Sequence, residues 1–240
     1  MARNKVAANC AFIGDVELGV NNIFEPGVVV SGPAQIGSNN YFGANAVVGT
    51  PPRQLDRDRR SNGVVIVGDD NYFGESVRVH RPVVQETKVG NFVAIGAGSH
   101  VGHDCRIGSN INISVNCSIG GYSVLLDHCN IGMSVCIHPR TVIGPWGYAG
   151  MGSVVTSNVQ VGSAVVGSPA KHIRWNYEAF KRSRLSSSEI NELRHYLDHG
   201  LYPVSPRLIF AVKHFSDAVA ATRRNPVLRT WDELDDSHLD

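Results

Sequence analysis

The sequence predicts an all-β parallel β-helix followed by a C-terminal α-helical segment. An apolar residue recurs at every sixth position over long stretches, glycine follows it in 15 of 22 steps, and the period ends near residue 161. A period of six fits neither an α-helix, with 3.6 residues per turn, nor an ordinary strand, which alternates every two residues. It fits a solenoid in which each six-residue unit forms one short strand.

The six-residue repeat forms three uninterrupted series. They begin at Leu18, Val67 and Val89 and contain 22 positions, of which only Ala149 is small. Hydrophobic residues make up 42% of the chain, so chance does not explain such a series. We expect these side chains, up to the final Val161, to fill a narrow core. The glycine that follows lets the chain turn where a Cβ atom would clash.

Such six-residue units resemble those of the left-handed parallel β-helix, in which three units make one coil. The handedness and the coil length are implied by this resemblance. Residues i and i+18 then lie above one another, because successive parallel strands are about 4.8 Å apart. We therefore expect residues 1–170 to form a left-handed parallel β-helix.

Two segments interrupt the repeat. The first, between Val48 and Val67, contains the polar and charged residues 49–63 and is expected to leave the coil as an excursion loop. The second, between Val79 and Val89, is shorter. Loops on a rigid scaffold are frequent sites of substrate contact, and the alternative is a solvated loop without function.

Residues 171–224 are predicted to form an α-helical domain. A short helix is expected over 176–184, and Ser186 with Glu189 has the spacing of a capping box for a second helix that ends at Gly200. Ser205 and Pro206 begin a third helix. We expect these helices to cover the open end of the solenoid and the acidic residues 225–240 to be a mobile tail.

Composition excludes several classes of function. The 22 basic and 21 acidic residues give a net charge of +1, which argues against nucleic-acid binding. Neither a membrane span nor a secretory signal is expected, so we expect a cytoplasmic protein, with no metal and no bound cofactor. The five cysteines form no CxxC pair and are expected to be reduced, with Cys105, Cys117 and Cys129 as core residues.

His103 is the leading catalytic candidate. It follows core residue Val101 by two places, so it should point outward, and Gly121 occupies the i+18 position that stacks on it. An imidazole beside an unencumbered backbone N–H suits acyl transfer, as a base and as an oxyanion donor. Asp104 could orient the ring, although neighbours on a strand usually point to opposite faces. His103 could instead fill a trimer seam, or neighbouring histidines could bind zinc.

Several motifs resemble those of one enzyme family. With its helical tail, the chain resembles the bacterial UDP-N-acetylglucosamine acyltransferases of lipid A synthesis over most of its length. The matching stretches are Gly49-Thr-Pro-Pro52, Glu75-Ser-Val-Arg-Val-His-Arg81, His100-Val-Gly-His-Asp-Cys105, Ile137-His138 and Val166-Gly-Ser-Pro-Ala170.

The resemblance implies a homotrimer with active sites between subunits. The donor would be an acyl group on acyl carrier protein, carried as a phosphopantetheine thioester, and the acceptor the 3-hydroxyl of UDP-N-acetylglucosamine. His103 falls on the family's catalytic base and Gly121 on its backbone oxyanion donor. The substrate-binding positions implied are His80, His100, His138, Gln54, Asp56, Tyr122, Met151, Asn176, Glu178 and Arg182.

The chain departs from the family at some of these positions. Gln54 and Asp56 replace an acid and a base that grip the sugar, Tyr122 replaces a histidine, and Met151 replaces a glycine that admits a long acyl chain. A short acyl group of about ten carbons or fewer, a hydroxyacyl or similar group, is therefore expected, because a clash excludes distal methylenes. Two alternatives stay open: an N-acyltransferase that uses acyl-CoA on a nucleotide-linked deoxy-amino sugar, and a non-catalytic trimeric scaffold.

Overall fold

The structure, a computed structural model, describes residues 3–52, 63–84 and 86–223. In this part of the chain, short strands stack into three sheets of 10, 8 and 7 strands, here called faces A, B and C. The chain visits the faces in the order A, B, C and then begins the next coil. The predicted left-handed parallel β-helix with a C-terminal helical segment is confirmed.

The strands are short, as expected for one strand in each six-residue unit. In chain order they are β1 Lys5–Val6, β2 Ala11–Ile13, β3 Val16–Leu18, β4 Ile23–Phe24, β5 Val29–Ser31, β6 Ala34–Ile36, β7 Tyr41–Phe42, β8 Val47–Thr50, β9 Val64–Val67, β10 Tyr72–Phe73, β11 Arg78–His80, β12 Glu86–Val89, β13 Ala94–Ile95, β14 His100–Val101, β15 Arg106–Ile107, β16 Asn112–Ile113, β17 Ser118–Ile119, β18 Val124–Leu125, β19 Asn130–Ile131, β20 Cys136–Ile137, β21 Val142–Ile143, β22 Tyr148–Ala149, β23 Val154–Val155, β24 Ser163–Gly167 and β25 Ala170–Trp175.

The register confirms that residues i and i+18 are stacked neighbours. Val101 on face B pairs with Ile119, and Ile107 on face C pairs with Leu125. These side chains lie in one buried apolar column inside the coil. Phe24 and Phe42 stack there with ring centroids 4.9 Å apart, so the aromatic residues also contribute to the stacking along the axis.

Both interruptions leave the stacking of the coils intact. Phe42 pairs with Phe73 across the first interruption, and Phe73 pairs with Ile95 across the second. The extra residues therefore lengthen two coils without breaking the apolar column inside them. Most of the excursion loop, including Gln54 and Asp56, lies outside the described residues.

The last step of the predicted repeat is wrong. Ile143 bridges to Val159 and not to Val161, so the final coil is shorter than a regular coil. At the shortened corner, the side chain of Asn158 accepts the backbone N–H of Val142. Val159 therefore fills the core, and Val161 packs against the helical segment instead. The chain then reverses in an antiparallel hairpin of β24 and β25.

Most corners between faces share one backbone conformation. The third residue after the inward apolar residue has a positive φ there, as at Asn39 (61°) and Asn116 (57°). Glycine, asparagine, aspartate and histidine adopt this conformation most readily, and bulky residues rarely do. Four bulky residues nevertheless occupy such corners: Phe92, Tyr122, Arg140 and Trp146.

The helical segment contains α1 Tyr177–Arg182, α2 Ser187–His199 and α3 Pro206–Arg223. Ser186 and Glu189 form the predicted capping box, and Gly200 ends α2 with a φ of 71°. Phe180, Leu193 and Leu208 are fully buried in a cluster with Trp146 of the coil, which joins the helices to the solenoid. No helix in the described ranges is long and apolar enough to cross a membrane. The predicted tail, 225–240, lies outside them.

Candidate active site

His103 lies at the corner where the chain passes from face B to face C, here called the BC corner. Its side chain is 24% exposed. Its Nε2 atom lies 2.7 Å from the position that a Cβ atom of Gly121 would occupy. The imidazole therefore covers the backbone of Gly121 on the next coil, as the stacking of residues i and i+18 predicts, and only glycine leaves room for the ring.

Asp104 fixes the orientation of the His103 ring. Nδ1 of His103 donates to Oδ2 of Asp104 at 2.9 Å, and the carboxylate is 6% exposed. Adjacent residues can meet because Asp104 has a φ of 56°, which turns its side chain back toward the ring. A carboxylate on Nδ1 keeps the proton on that nitrogen and leaves the lone pair of Nε2 free to accept another.

Residues of the second interruption, between Val79 and Val89, hold Asp104 in place. The backbone N–H groups of Val83 and Val84 donate to the two carboxylate oxygens at 2.7 and 2.9 Å. The N–H of Asp104 donates in turn to Oγ1 of the buried Thr87 at 2.8 Å. The residues of this interruption thus form a clamp around the carboxylate that orients His103.

The backbone N–H of Gly121 has no hydrogen-bond acceptor within the described part of the chain. At the corner between faces C and A, the CA corner, the equivalent N–H of Ser109 donates to Asp127 of the next coil at 2.8 Å. The residue that stacks on Gly121 from the next coil is Pro139, at i+18, and its side chain offers no hydrogen-bond acceptor. A free backbone donor under an imidazole is what a developing oxyanion requires.

Two further histidines lie beside this pair. The ring centroids of His80 and His100 are 4.9 Å apart, and Nδ1 of His80 donates to the carbonyl of Thr50 at 3.1 Å. Burial lowers the pKa of His100, and the neighbouring His80 and Arg78 lower it further. His138, further along the corner from His80, is exposed, and its Nδ1 donates to the Pro139 carbonyl.

Arg81 ties the start of the excursion loop to this corner. Its guanidinium donates to the carbonyls of Gly49 and Gly32 at 2.8 and 2.7 Å and to the hydroxyl of Ser31 at 2.9 Å. The first residues of the loop are therefore fixed next to His80. The six-residue repeat could not predict this contact, because Arg81 lies at the edge of an interruption.

Tyr122 and Arg140 form the wall of the BC corner below Gly121. The ring of Tyr122 meets that of His103 edge-on, with centroids 5.0 Å apart. The guanidinium carbon of Arg140 lies 5.5 Å from the centroid of the Tyr122 ring. Both residues have a positive φ, 61° and 65°. A bulky residue in this region costs about 1–3 kcal/mol, and here two such residues occur on successive coils.

The predicted substrate-binding residues Asn176, Glu178 and Arg182 line a different cleft, of about 390 Å³. Asn176 caps α1, and its Nδ2 donates to the carbonyl of Trp146 at 2.9 Å. Glu178 pairs with Lys181 at 3.1 Å. The cleft lies between the helical segment, the CA corner and face A.

Residues of face A complete this cleft. Asn112, Asn130 and Tyr148 are stacked neighbours on successive coils, and all three line it, with His128 from the CA corner. Nδ2 of Asn112 donates to Oδ1 of Asn130 at 3.0 Å. Our sequence prediction missed these residues, although polar side chains spaced by 18 positions could have indicated a polar surface along face A.

One chain does not bring all the predicted residues together. His80, His100, His103, Asp104, Gly121 and Tyr122 meet at or next to the BC corner, whereas Asn176, Glu178 and Arg182 meet at face A. Met151 lies at the third corner, between faces A and B, and is 66% exposed. It continues a row of exposed apolar residues with Val115 and Met133 on the two preceding coils.

Three of the five cysteines belong to the core of the coil. Cys105, Cys117 and Cys129 are buried, and burial raises the pKa of Cys105 to about 12, so it remains a thiol at neutral pH. Among the residues of known placement, no group of three or more His, Cys, Asp or Glu could hold a metal ion.

Comparison with known proteins identifies relatives. No protein-family model matches the chain. It is 32% identical over 133 residues to the acyl-[acyl-carrier-protein]–UDP-N-acetylglucosamine O-acyltransferase of Pseudomonas aeruginosa, which covers 54% of this chain and 52% of that protein. The chain thus spans about half the length of such relatives in these alignments. With the enzyme of the same name from Saccharophagus degradans, identity is 33% over 186 residues, 76% of this chain and 72% of that protein.

Solved structures support the same fold. The UDP-N-acetylglucosamine acyltransferase of Campylobacter jejuni superimposes with a TM-score of 0.77 at 19% identity, over 89% of this chain and 90% of that chain. The enzyme from Francisella novicida gives 0.74 at 23% identity, over 92% and 84%. Given this fold and 33% identity over 76% of its length, the chain belongs to the family of acyl-[acyl-carrier-protein]–UDP-N-acetylglucosamine O-acyltransferases.

Proposed function

We propose that this protein transfers an acyl group from acyl carrier protein to the 3-hydroxyl of UDP-N-acetylglucosamine. One observation carries the proposal: Nε2 of His103 lies over the backbone of Gly121, while Nδ1 is held by Asp104. A base with a fixed tautomer next to a free backbone donor suits acyl transfer to a hydroxyl. The names of its relatives supply the donor and the acceptor.

The reaction follows from this geometry. Nε2 of His103 takes the proton of the sugar hydroxyl as its oxygen attacks the thioester carbon. The N–H of Gly121 donates to the oxyanion of the tetrahedral intermediate. When the carbon–sulfur bond breaks, the imidazolium returns its proton to the phosphopantetheine thiolate. Asp104 stabilises the imidazolium between these two proton transfers.

A homotrimer would complete the site. His103 and the cleft of Asn176, Glu178 and Arg182 occupy different sides of one chain. A threefold arrangement can place the BC corner of one subunit against face A of its neighbour. Coexpression of His103→Ala with Arg182→Ala should then restore activity, because mixed trimers contain interfaces with both native residues. Sedimentation as a monomer at micromolar concentration, or no restoration in mixed trimers, would contradict the shared site.

The direct test is turnover of acyl carrier protein thioesters with UDP-N-acetylglucosamine. His103→Ala should lower kcat by about two to four orders of magnitude, with an unchanged circular dichroism spectrum and melting temperature. Near-normal turnover of this variant would rule out His103 as the base. A wild-type protein inactive with every donor and acceptor would favour the trimeric scaffold.

Acyl transfer to an amine is the second candidate. Tyr122 beside His103, and the sequence positions Gln54 and Asp56, differ from the pattern of the family that the chain resembles. The acceptor would be a nucleotide-linked deoxy-amino sugar and the donor acyl-CoA or acyl carrier protein. Competing the two acceptors in one assay decides between them, because hydroxylamine cleaves an ester product and leaves an amide.

A further inference from the structure

We propose that Arg140, held by Tyr122, binds the phosphate group attached to the acceptor sugar. This inference rests on the proposed use of a nucleotide-activated sugar. Neither the repeat pattern nor the family resemblance gave Arg140 a role. It follows from the position of the guanidinium, its lack of an anionic partner among the described residues and the backbone conformation that places it there.

The position of Arg140 is fixed relative to the catalytic base. Its backbone N–H donates to the carbonyl of Gly121 at 2.9 Å, which places it one coil beyond the oxyanion donor. The guanidinium carbon is 5.5 Å from the Tyr122 ring centroid, and that centroid is 5.0 Å from the His103 ring. The guanidinium and the imidazole therefore lie no farther apart than these two distances together.

The charge of Arg140 is not neutralised by the described residues. No carboxylate among them lies within ion-pair distance of its guanidinium, and its buried Nη2 atom has no hydrogen-bond acceptor. The corner acid two coils away, Asp104, is bound by His103, Val83 and Val84. The Tyr122 ring offsets part of the cost of this burial. A guanidinium without an anionic partner is suited to binding an anion.

The backbone supports a functional reason for both side chains. At the equivalent positions of the other two corners, the chain has residues that tolerate a positive φ, such as Asn110 and Asn116. Tyr122 and Arg140 adopt the same conformation, although bulky side chains disfavour it. Such costs are found mainly where the surrounding structure needs the side chain.

The number of bonds between the reacting atom and the phosphorus distinguishes the phosphate of the acceptor from that of the donor. In a nucleotide-activated sugar the first phosphorus is about five bonds from the oxygen at carbon 3. In a phosphopantetheine thioester the phosphorus is about a dozen bonds or more from the reacting carbon, beyond this corner when extended. Arg140 lies beside the groups that hold the reacting atoms, so the phosphate of the acceptor is within its reach.

Kinetics of Arg140→Gln test the assignment. The KM for the nucleotide sugar should rise by about ten- to a hundredfold, with kcat and the KM for the acyl donor within about twofold, because a charge-assisted contact is lost. Arg140→Lys should recover part of the affinity. Arg194→Gln is the matched control: Arg194 also lies over a tyrosine ring, Tyr177 at 4.7 Å, and its replacement should leave both KM values unchanged.

Equilibrium binding separates this inference from the proposed reaction. By calorimetry, the wild type should bind UDP more tightly than uridine, and Arg140→Gln should lose most of that preference while binding uridine normally. This holds even if the transferred group or the acceptor atom differs from our proposal. The inference is wrong if the variant raises only the donor KM, if it changes only the melting temperature, or if the preference for UDP survives.

Discussion

Oγ1 of Thr87 accepts the backbone N–H of Asp104 at 2.8 Å, and Thr87 is completely buried. Thr87→Val keeps the shape of the side chain and leaves that N–H without this acceptor. We expect a loss of about 1–3 kcal/mol in the free energy of unfolding. The carboxylate should also hold His103 less well, so kcat should fall by about tenfold.

Thr87→Ser is the control for this variant. It retains the hydroxyl and should keep near-normal turnover at some loss of packing. Urea unfolding and steady-state kinetics measure the two effects separately. Equal turnover in the valine and serine variants would show that the hydroxyl does not position the catalytic pair.

Replacement of two adjacent glycines by alanine should have different effects, on turnover at Gly121 and on stability at Gly120. A Cβ at Gly121 would meet the His103 ring, at 2.7 Å from Nε2, whereas a Cβ at Gly120 would lie 2.5 Å from the backbone nitrogen of Pro139. Gly121→Ala should displace the ring and lower kcat by about a hundredfold or more, with little change in stability. Gly120→Ala should destabilise the coil by about 1–3 kcal/mol or more.

Turnover and urea unfolding of both glycine variants measure this contrast. If Gly121→Ala kept full activity, the imidazole would not need its position over the Gly121 backbone. If Gly120→Ala were as stable as the wild type, the close contact between successive coils would be easily relieved.

Met151 is predicted to limit the length of the acyl chain. Met151→Gly should shift the optimum of a donor series toward longer chains, with about 0.8 kcal/mol gained for each additional buried methylene. Met133→Gly removes an exposed methionine one coil earlier in the same row and should shift the optimum less. An unchanged chain-length profile for Met151→Gly would remove this residue from the acyl site.

Stability should fall on acidification because two half-buried histidines resist protonation. Burial lowers the pKa of His128, against the opposing effect of Asp127, and it also lowers that of His100. The unfolded chain takes up these protons at pH 6.5 and below, before the folded protein does. The free energy of unfolding should therefore decrease as the pH falls from 6.5 toward the lowered folded-state values.

His128→Asn tests this dependence, because asparagine tolerates the φ of 64° at this corner. Its loss of stability between about pH 7.5 and 5 should be smaller than that of the wild type, with the contribution of His100 remaining. Unfolding must be compared at one protein concentration, since assembly would also contribute. Identical pH slopes would mean that His128 is protonated equally in both states.

The repeat predicted what depends on register alone. The stacking of residues i and i+18 predicts that Gly121 lies next to His103 on the following coil, and the structure has the two in contact. We named Asp104 as a residue that could orient His103, but the strand alternation argued against the contact, because the contact depends on a single positive φ. The repeat did not predict the role of Thr87, which lies in a segment where the repeat is interrupted and no position can be assigned.

The sequence prediction of the last core residue was wrong because two residues fit the apolar pattern there. Val159 and Val161 are both valines, and only the shortening of the preceding corner decides which one enters the core. The cleft on face A needed a different search. Asn112, Asn130 and Tyr148 point outward, so the apolar repeat carries no information about them.

The same positive φ occurs at corners with very different side chains, so the backbone of the solenoid does not determine which side chain a corner presents to a substrate. Asn116, Tyr122 and Arg140 share nearly the same φ, 57°, 61° and 65°, although their side chains have nothing in common. The turn is therefore imposed by the stacked coils on either side, and the side chain it presents differs from corner to corner, at a cost in backbone strain where that side chain is bulky. If Arg140 contacts the acceptor as we propose, exchange of this corner residue changes that contact and leaves the apolar column inside the coil unaltered.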